Sequence, residues 1–206
     1  MKLVIATHNK DKLKELFNAF KVDDLALQLL SLDDFPDIGE IEETGSTLVE
    51  NALIKAREVF SITQLPTISD DTGLEVDALH GQPGVYTARY AGEDCSYLDN
   101  INKLLHELEK VPLPNRTAQF KTVIAYVDKD NEFTAEGVAN GLILRSMKGD
   151  NGFGYDPVFF VPEEKKTFAE MSIEEKKLHS HRGKSIEKIM EVLIPHINNS
   201  THKEIA

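Results

Sequence analysis

Near the N-terminus the hydrophobic period switches between strand and helix, and this alternation constrains the fold more than any other feature. Leu3-Val4-Ile5-Ala6 is an unbroken apolar run of strand length. From about Lys10 the period becomes helical, with Leu13, Leu16, Phe17 and Phe20 at i, i+3, i+4 and i+7. A second strand is expected near Leu27 to Leu30. The segment from Asp33 to Gly45 is acidic and carries Pro36, Gly39 and Gly45, so it reads as irregular. Thr47 and Glu50 have capping-box spacing, and Leu48, Ala52, Ala56, Val59 and Phe60 supply the stripe of a long helix. Thr67-Ile68-Ser69 returns to strand. Asp70-Asp71-Thr72-Gly73 is expected at its C-terminal end, where open α/β sheets bind ligands.

The rest of the chain breaks the alternation. Gly81 to Gly92 is loop, and Tyr97 to Lys110 reads as a helix. Phe120 to Val127 and Glu132 to Val138 read as a hairpin turning at 128–131. Gly149 to Tyr155 is loop, Pro157 to Val161 is strand-like, and Ser172 with Glu175 opens a short helix. The last helix is expected from about His181 to Ile197. This order predicts an α/β fold, a mixed sheet with flanking helices, rather than a uniform doubly wound one. The 206 residues suit one domain with two lobes, and a cleft between lobes is the natural place for a site.

Charge narrows the partners. Lys and Arg number 23 against 35 Asp and Glu, a net charge of −12, which opposes a broad nucleic-acid surface or docking on anionic membranes. The single cysteine, Cys95, allows no intrachain disulfide and fits a reducing compartment. The N-terminal apolar run is too short for a signal peptide. A cytoplasmic protein is expected.

Four clusters carry chemistry. Thr7-His8-Asn9-Lys10-Asp11-Lys12 lies between the first strand and helix. If Asn9 caps that helix, Lys10 and Lys12 sit on the wrong side of its dipole unless a phosphate meets them and the free N–H groups. A lysine-rich solvated turn is the bland alternative. Glu42-Glu43 and Asp70-Asp71 offer hard oxygens for Mg²⁺ shared with a phosphate, and one carboxylate can take a proton from an attacking water. Against this, Glu42 reads as a solvated loop residue, Glu50 as a cap and Lys55 as a helix-surface lysine. Gly152-Phe153-Gly154-Tyr155-Asp156-Pro157 offers two aromatics as a stacking platform for a base, or simply a turn with aromatic anchors. Lys176 to Lys184 is the densest basic run, with Ser180 a candidate cap. Together they point to a nucleotide polyphosphate with Mg²⁺. They do not choose between cleaving it and sensing it.

The chain resembles the inosine triphosphate pyrophosphatase (dITP/XTP pyrophosphatase) family nearly end to end. The likeness rests on Thr7 to Lys12, Glu43-Thr44-Gly45, Glu50-Asn51-Ala52 with Lys55-Ala56, and Ser69 to Leu74. It continues in Gly81 to Gly84, Ala88-Arg89-Tyr90, Phe153 to Pro157 and Ser180 to Gly183. The resemblance implies an elongated two-lobed mixed α/β fold around a central cleft and a homodimer. It implies hydrolysis of ITP, dITP and XTP to the monophosphate and pyrophosphate, removing deaminated purines from the nucleotide pool. Asp71 would be the proton acceptor and, with Glu43, a Mg²⁺ ligand. Thr7, His8, Asn9, Lys10, Asp11, Lys12, Lys55 and Thr72 would contact the substrate, mainly its triphosphate, and Arg89 would join them. Phe153, Gly154, Tyr155 and Asp156 would pack on base and sugar, and Lys176, His181 and Arg182 would complete the base pocket. His8 and His80 depart from the family, which commonly has glycine there. Two other readings are a Maf-type nucleotide pyrophosphatase, against which Phe153 to Asp156 and Ser180 to Arg182 speak, and a non-catalytic nucleotide sensor.

Overall fold

The computed structural model describes residues 1–20 and 27–203, with side chains to residue 197. Its strands are β1 (Lys2–Ile5), β2 (Gln28–Ser31), β3 (Thr67–Val76), β4 (Pro83–Gly84), β5 (Thr117–Val127), β6 (Glu132–Ile143), β7 (Phe159–Val161) and β8 (Lys166–Thr167). Its helices are α1 (Lys10–Phe20), α2 (Leu48–Thr63), α3 (Tyr97–Glu107), α4 (Ile173–His179) and α5 (His181–Lys203). The strands form one mixed sheet in the order β2-β1-β3-β5-β6-β7-β8, with β4 beside β3. β1 runs parallel to β2 and β3, whereas β6, β7 and β8 pair antiparallel. Among the described residues no helix is long and apolar enough to cross a membrane.

The capping signals read from sequence act as expected. Thr47 accepts the Glu50 N–H while Glu50 reaches back to the cap, and Ser172 with Glu175 does the same at α4. Ser96 with Asp99 repeats the device at α3, where the apolar stripe had marked the helix without its cap.

Several bounds differ from expectation: β5 starts at Thr117, α3 ends at Glu107 and α5 runs to Lys203, and three strands differ for a visible reason. β3 does not stop at Ser69 but continues through both aspartates to Val76, because Gly73 and Leu74 keep an extended backbone and Leu74 is fully buried. β6 runs to Ile143 rather than Val138, since alternate residues of its second half face a core. β7 begins only at Phe159, because Val158 donates to Tyr155 in a turn.

The residues gather into two compact units: Met1–Asp71, Val123–Gly137 and Ser185–Ala206 in one, and Thr72–Thr122 and Val138–Lys184 in the other. In the first unit, Leu3 and Ile5 of β1 pack with Leu16 and Phe20 of α1 and Ile189 and Leu193 of α5. In the second, Phe120, Phe159 and Phe168 pack with Ile101 and Leu104 of α3. Arg116 is 1 % exposed there, and its guanidinium donates to the carbonyls of Leu108, Val111 and Leu144.

Asp128 ties the 128–131 turn of the first unit to α5. Its Oδ1 accepts the N–H groups of Asp130 and Asn131, and its Oδ2 accepts the Tyr126 hydroxyl and meets His196 Nε2 at 2.6 Å. Burial alone would raise this carboxyl's pKa, but those hydrogen bonds outweigh it and hold the pKa below the usual value. A depressed acid stabilises the fold above its unfolded pKa and loses that contribution as pH falls through the folded one. Asp128→Asn should therefore cost about 1–2 kcal/mol at neutral pH. That difference should close as pH falls through the depressed folded pKa. Urea unfolding of both proteins across pH measures it.

Candidate functional site

The first constellation lies in the first unit and is built from the β1–α1 loop, α2 and β3. Asn9 caps α1: its Oδ1 accepts the N–H groups of Asp11 and Lys12 at 3.0 and 3.1 Å. Asn9 is therefore the cap that the sequence reading supposed, and it takes up two N–H groups of the first turn. Lys10 and Asp11 are exposed, while Lys12 turns inward to Asp70 at 3.4 Å. His8 meets the Gly39 carbonyl through Nε2 at 3.0 Å, and Thr7 Oγ1 accepts the Asn9 N–H.

Lys55 is not a helix-surface lysine. Its side chain is 12 % exposed and its ammonium pairs with Glu43 and with Asp71, the latter at 3.6 Å. Three contacts bring these groups together. Asn51, 1 % exposed on α2, accepts the Gly45 N–H at 2.8 Å and so holds the loop carrying Glu43. Glu50 accepts the N–H groups of Ser46 and Thr47. Ser69 Oγ donates to the Ala52 carbonyl, which joins β3 to α2 immediately before the aspartates.

Asp70 and Asp71 are 1 % and 5 % exposed and lie mid-strand, not at a strand end as expected. Side chains alternate along a strand, so the two carboxylates diverge and take different lysines rather than chelating as a pair. Burial pushes the Asp71 carboxyl up; Lys55 and Lys12 oppose that, and Glu43 and Asp70 add to it. Burial would lower the Lys55 ammonium, but Asp71, Glu43 and Asp70 outweigh it and raise its pKa. Thus the carboxylates of Glu43, Asp70 and Asp71 are set against the ammonium groups of Lys12 and Lys55, leaving the group with excess negative charge.

That donor set fits Mg²⁺. Mg²⁺ prefers hard oxygens and is commonly held by one or two carboxylates plus substrate phosphate rather than by a protein cage. Among the described residues no three His, Cys, Asp or Glu side chains form a cage. Glu43 and Asp71 are the residues that could hold the ion.

The second constellation lies in the second unit. Lys176 of α4 is 8 % exposed and donates to Asp156 Oδ2 at 2.6 Å, an oxygen that also accepts the Phe153 N–H. The Lys176 ammonium stands 4.9 Å from the Phe153 ring centroid, and the Arg182 guanidinium 5.7 Å from it. Arg182, at the start of α5, donates from Nη2 to Thr72 Oγ1 at 3.1 Å. Ser180 caps the helix, its Oγ accepting the Gly183 N–H. His181 is stacked on Phe120 with centroids 4.5 Å apart. Gly152 is required twice, by a φ of +74° and because a Cβ there would lie 2.0 Å from Asp156 Oδ2.

The structure therefore gathers Phe153, Asp156, Lys176, Arg182 and Thr72. Arg89 sits on the 87–89 turn with its guanidinium 5.4 Å from the Tyr86 ring. Tyr155 corrects the stacking platform: it is 3 % exposed, its hydroxyl donates to the Thr87 carbonyl, and its ring is part of the core. Phe153 is half-buried, and its ring lies against Tyr97 as well as Lys176 and Arg182. Gly154 has a φ of +59° and serves the turn.

The Ham1 family model matches residues 3–192. The chain belongs to the Ham1 family. Relatives in this family include the dITP/XTP pyrophosphatase of Desulforamulus reducens, 50 % identical over 94 % of this chain and 96 % of that protein. The dITP/XTP pyrophosphatase of Geobacter sulfurreducens is 51 % identical over 90 % and 92 %. Among solved structures, the Staphylococcus aureus Ham1 protein matches with a TM-score of 0.84 at 39 % identity, covering 95 % of this chain and all of its own. The Coxiella burnetii HAM1 protein gives 0.86 at 40 % identity over 95 % and 99 %. The mixed α/β architecture is thus the Ham1 architecture.

Proposed function

We propose that this Ham1-family chain hydrolyses dITP, ITP and XTP at the α–β anhydride, releasing the nucleoside monophosphate and pyrophosphate. One observation carries the reading: a buried carboxylate of raised pKa, Asp71, set among Glu43, Lys12 and Lys55 in a chain half identical to dITP/XTP pyrophosphatases. A purely sensing protein has no need of buried carboxylates facing a polyanion.

Asp71 accepts the proton of the attacking water, and its burial makes it a stronger base than a solvated aspartate. Lys12 and Lys55, with Thr7 to Asp11, bind phosphate oxygens. Mg²⁺ held by Asp71 and Glu43 would offset the charge of the triphosphate and draw electron density from the phosphorus under attack. Lys176 and Arg182 select the base. Both side chains only donate, so a 6-keto purine satisfies them and the 6-amino group of adenine does not. Phe153 supplies an apolar face for the ring.

Product analysis tests the reaction. With dITP and Mg²⁺ the expected products are dIMP and pyrophosphate in equal amounts, and excess chelator should abolish their release. Orthophosphate and dIDP would move the cleavage to the terminal phosphate, and full activity in chelator would remove the metal from the reading.

A further inference from the structure

We propose that Thr122 is a positioning residue for base selection, acting through Thr72 on Arg182. The inference rests on the function proposed above. Thr122 lies on β5, is fully buried, and places its Oγ1 2.7 Å from Thr72 Oγ1. Thr72 Oγ1 in turn accepts from Arg182 Nη2 at 3.1 Å. All three residues belong to the second unit, so the chain of contacts is internal to it.

The chemistry gives this relay a direction. A guanidinium has no acceptor, so Arg182 must occupy a lone pair of the Thr72 oxygen. A hydroxyl has two lone pairs and one hydrogen. Whichever of the two hydroxyls donates, the 2.7 Å contact with Thr122 holds the Thr72 oxygen in place, and that oxygen is the acceptor that aims Arg182. The guanidinium is steadied from another side by the Phe153 ring, 5.7 Å away. Neither the hydropathy of β5 nor the motifs flag Thr122: it reads as one more β-branched strand residue.

Thr122→Val keeps the shape and deletes the hydroxyl. It should lower kcat/KM for dITP by about 10- to 100-fold, the scale of losing a hydrogen bond that orients a charged group. The ratio of kcat/KM for dITP over dATP should fall with it, whereas Thr122→Ser should stay within about threefold of wild type. Thr122→Ala deletes the same hydroxyl and replaces the valine variant if that one fails to fold. The deciding measurement is a cycle with Thr72→Val. If Thr122 acts through Thr72, its removal changes nothing further once the Thr72 hydroxyl is gone. Additive losses, or unchanged activity and selectivity in folded Thr122→Val, would overturn the relay while leaving the function intact. A wild-type protein inert on dITP and XTP would overturn the function, and the relay with it.

Discussion

Asp71→Asn should lower kcat for dITP by about 10²- to 10⁴-fold, the usual contribution of a positioned general base. The amide keeps the shape of the side chain but cannot accept a proton. It also removes one carboxylate from the group facing Lys12 and Lys55. Stability should move the other way. The folded pKa of Asp71 is raised, so this acid favours the fold when protonated and loses that contribution as pH rises through the folded value. At neutral pH the ionised carboxylate is therefore a cost that asparagine removes. The variant should melt at or above the wild-type temperature, with the two proteins converging in acid. Turnover of dITP with saturating Mg²⁺ and circular-dichroism melts across pH measure both halves. A variant as active as wild type would take the base assignment away from Asp71.

Gly183→Ala should be strongly destabilising. In an ordinary helix interior, replacing glycine by alanine gains about 1 kcal/mol. Here a Cβ would stand 1.7 Å from the Lys177 carbonyl oxygen and 2.8 Å from its carbon. These are backbone atoms, so no rotamer change relieves the overlap, and the end of α4 must separate from the start of α5. We expect a loss of at least about 3 kcal/mol, at the upper end for overpacking. Arg182 precedes this glycine and Lys176 lies on α4, so dITP turnover should fall as well. Gly154→Ala is the control. Its Cβ would meet nothing within 4 Å, but its φ is +59°, so only the left-handed backbone penalty of about 1 kcal/mol applies. Equal melting temperatures for Gly183→Ala and wild type would contradict the close approach.

Helices and strands were legible where local rules decide them. Apolar stripes marked α1, α2 and α3, and the Thr47–Glu50 and Ser172–Glu175 spacings marked two helix starts because capping is settled within four residues. The extent of β3 was not legible. Asp70-Asp71-Thr72-Gly73 reads as a strand end by composition, and only burial against Lys12 and Lys55, distant in sequence, lets two carboxylates continue a strand. Tyr155 was missed for a similar reason: its partner, the Thr87 carbonyl, has no sequence signal. The residue types of the site were readable because their chemistry is unusual for their context, lysines at a helix start above all. Asn51 and Ser69 stood in the motifs of the resemblance without a role and Thr122 in none; all three are small, neutral and ordinary in type, and only contacts show what they hold.

A pyrophosphatase that selects purines through donors alone must favour keto bases. The most direct measurement is pyrophosphate release, as kcat/KM, from dITP, XTP, dATP and dTTP with Mg²⁺. dITP and XTP should exceed the other two by at least about 10²-fold, because a site built to donate to a carbonyl leaves its donors unmet against adenine. Equal rates for dATP, or a preference for dTTP, would contradict it.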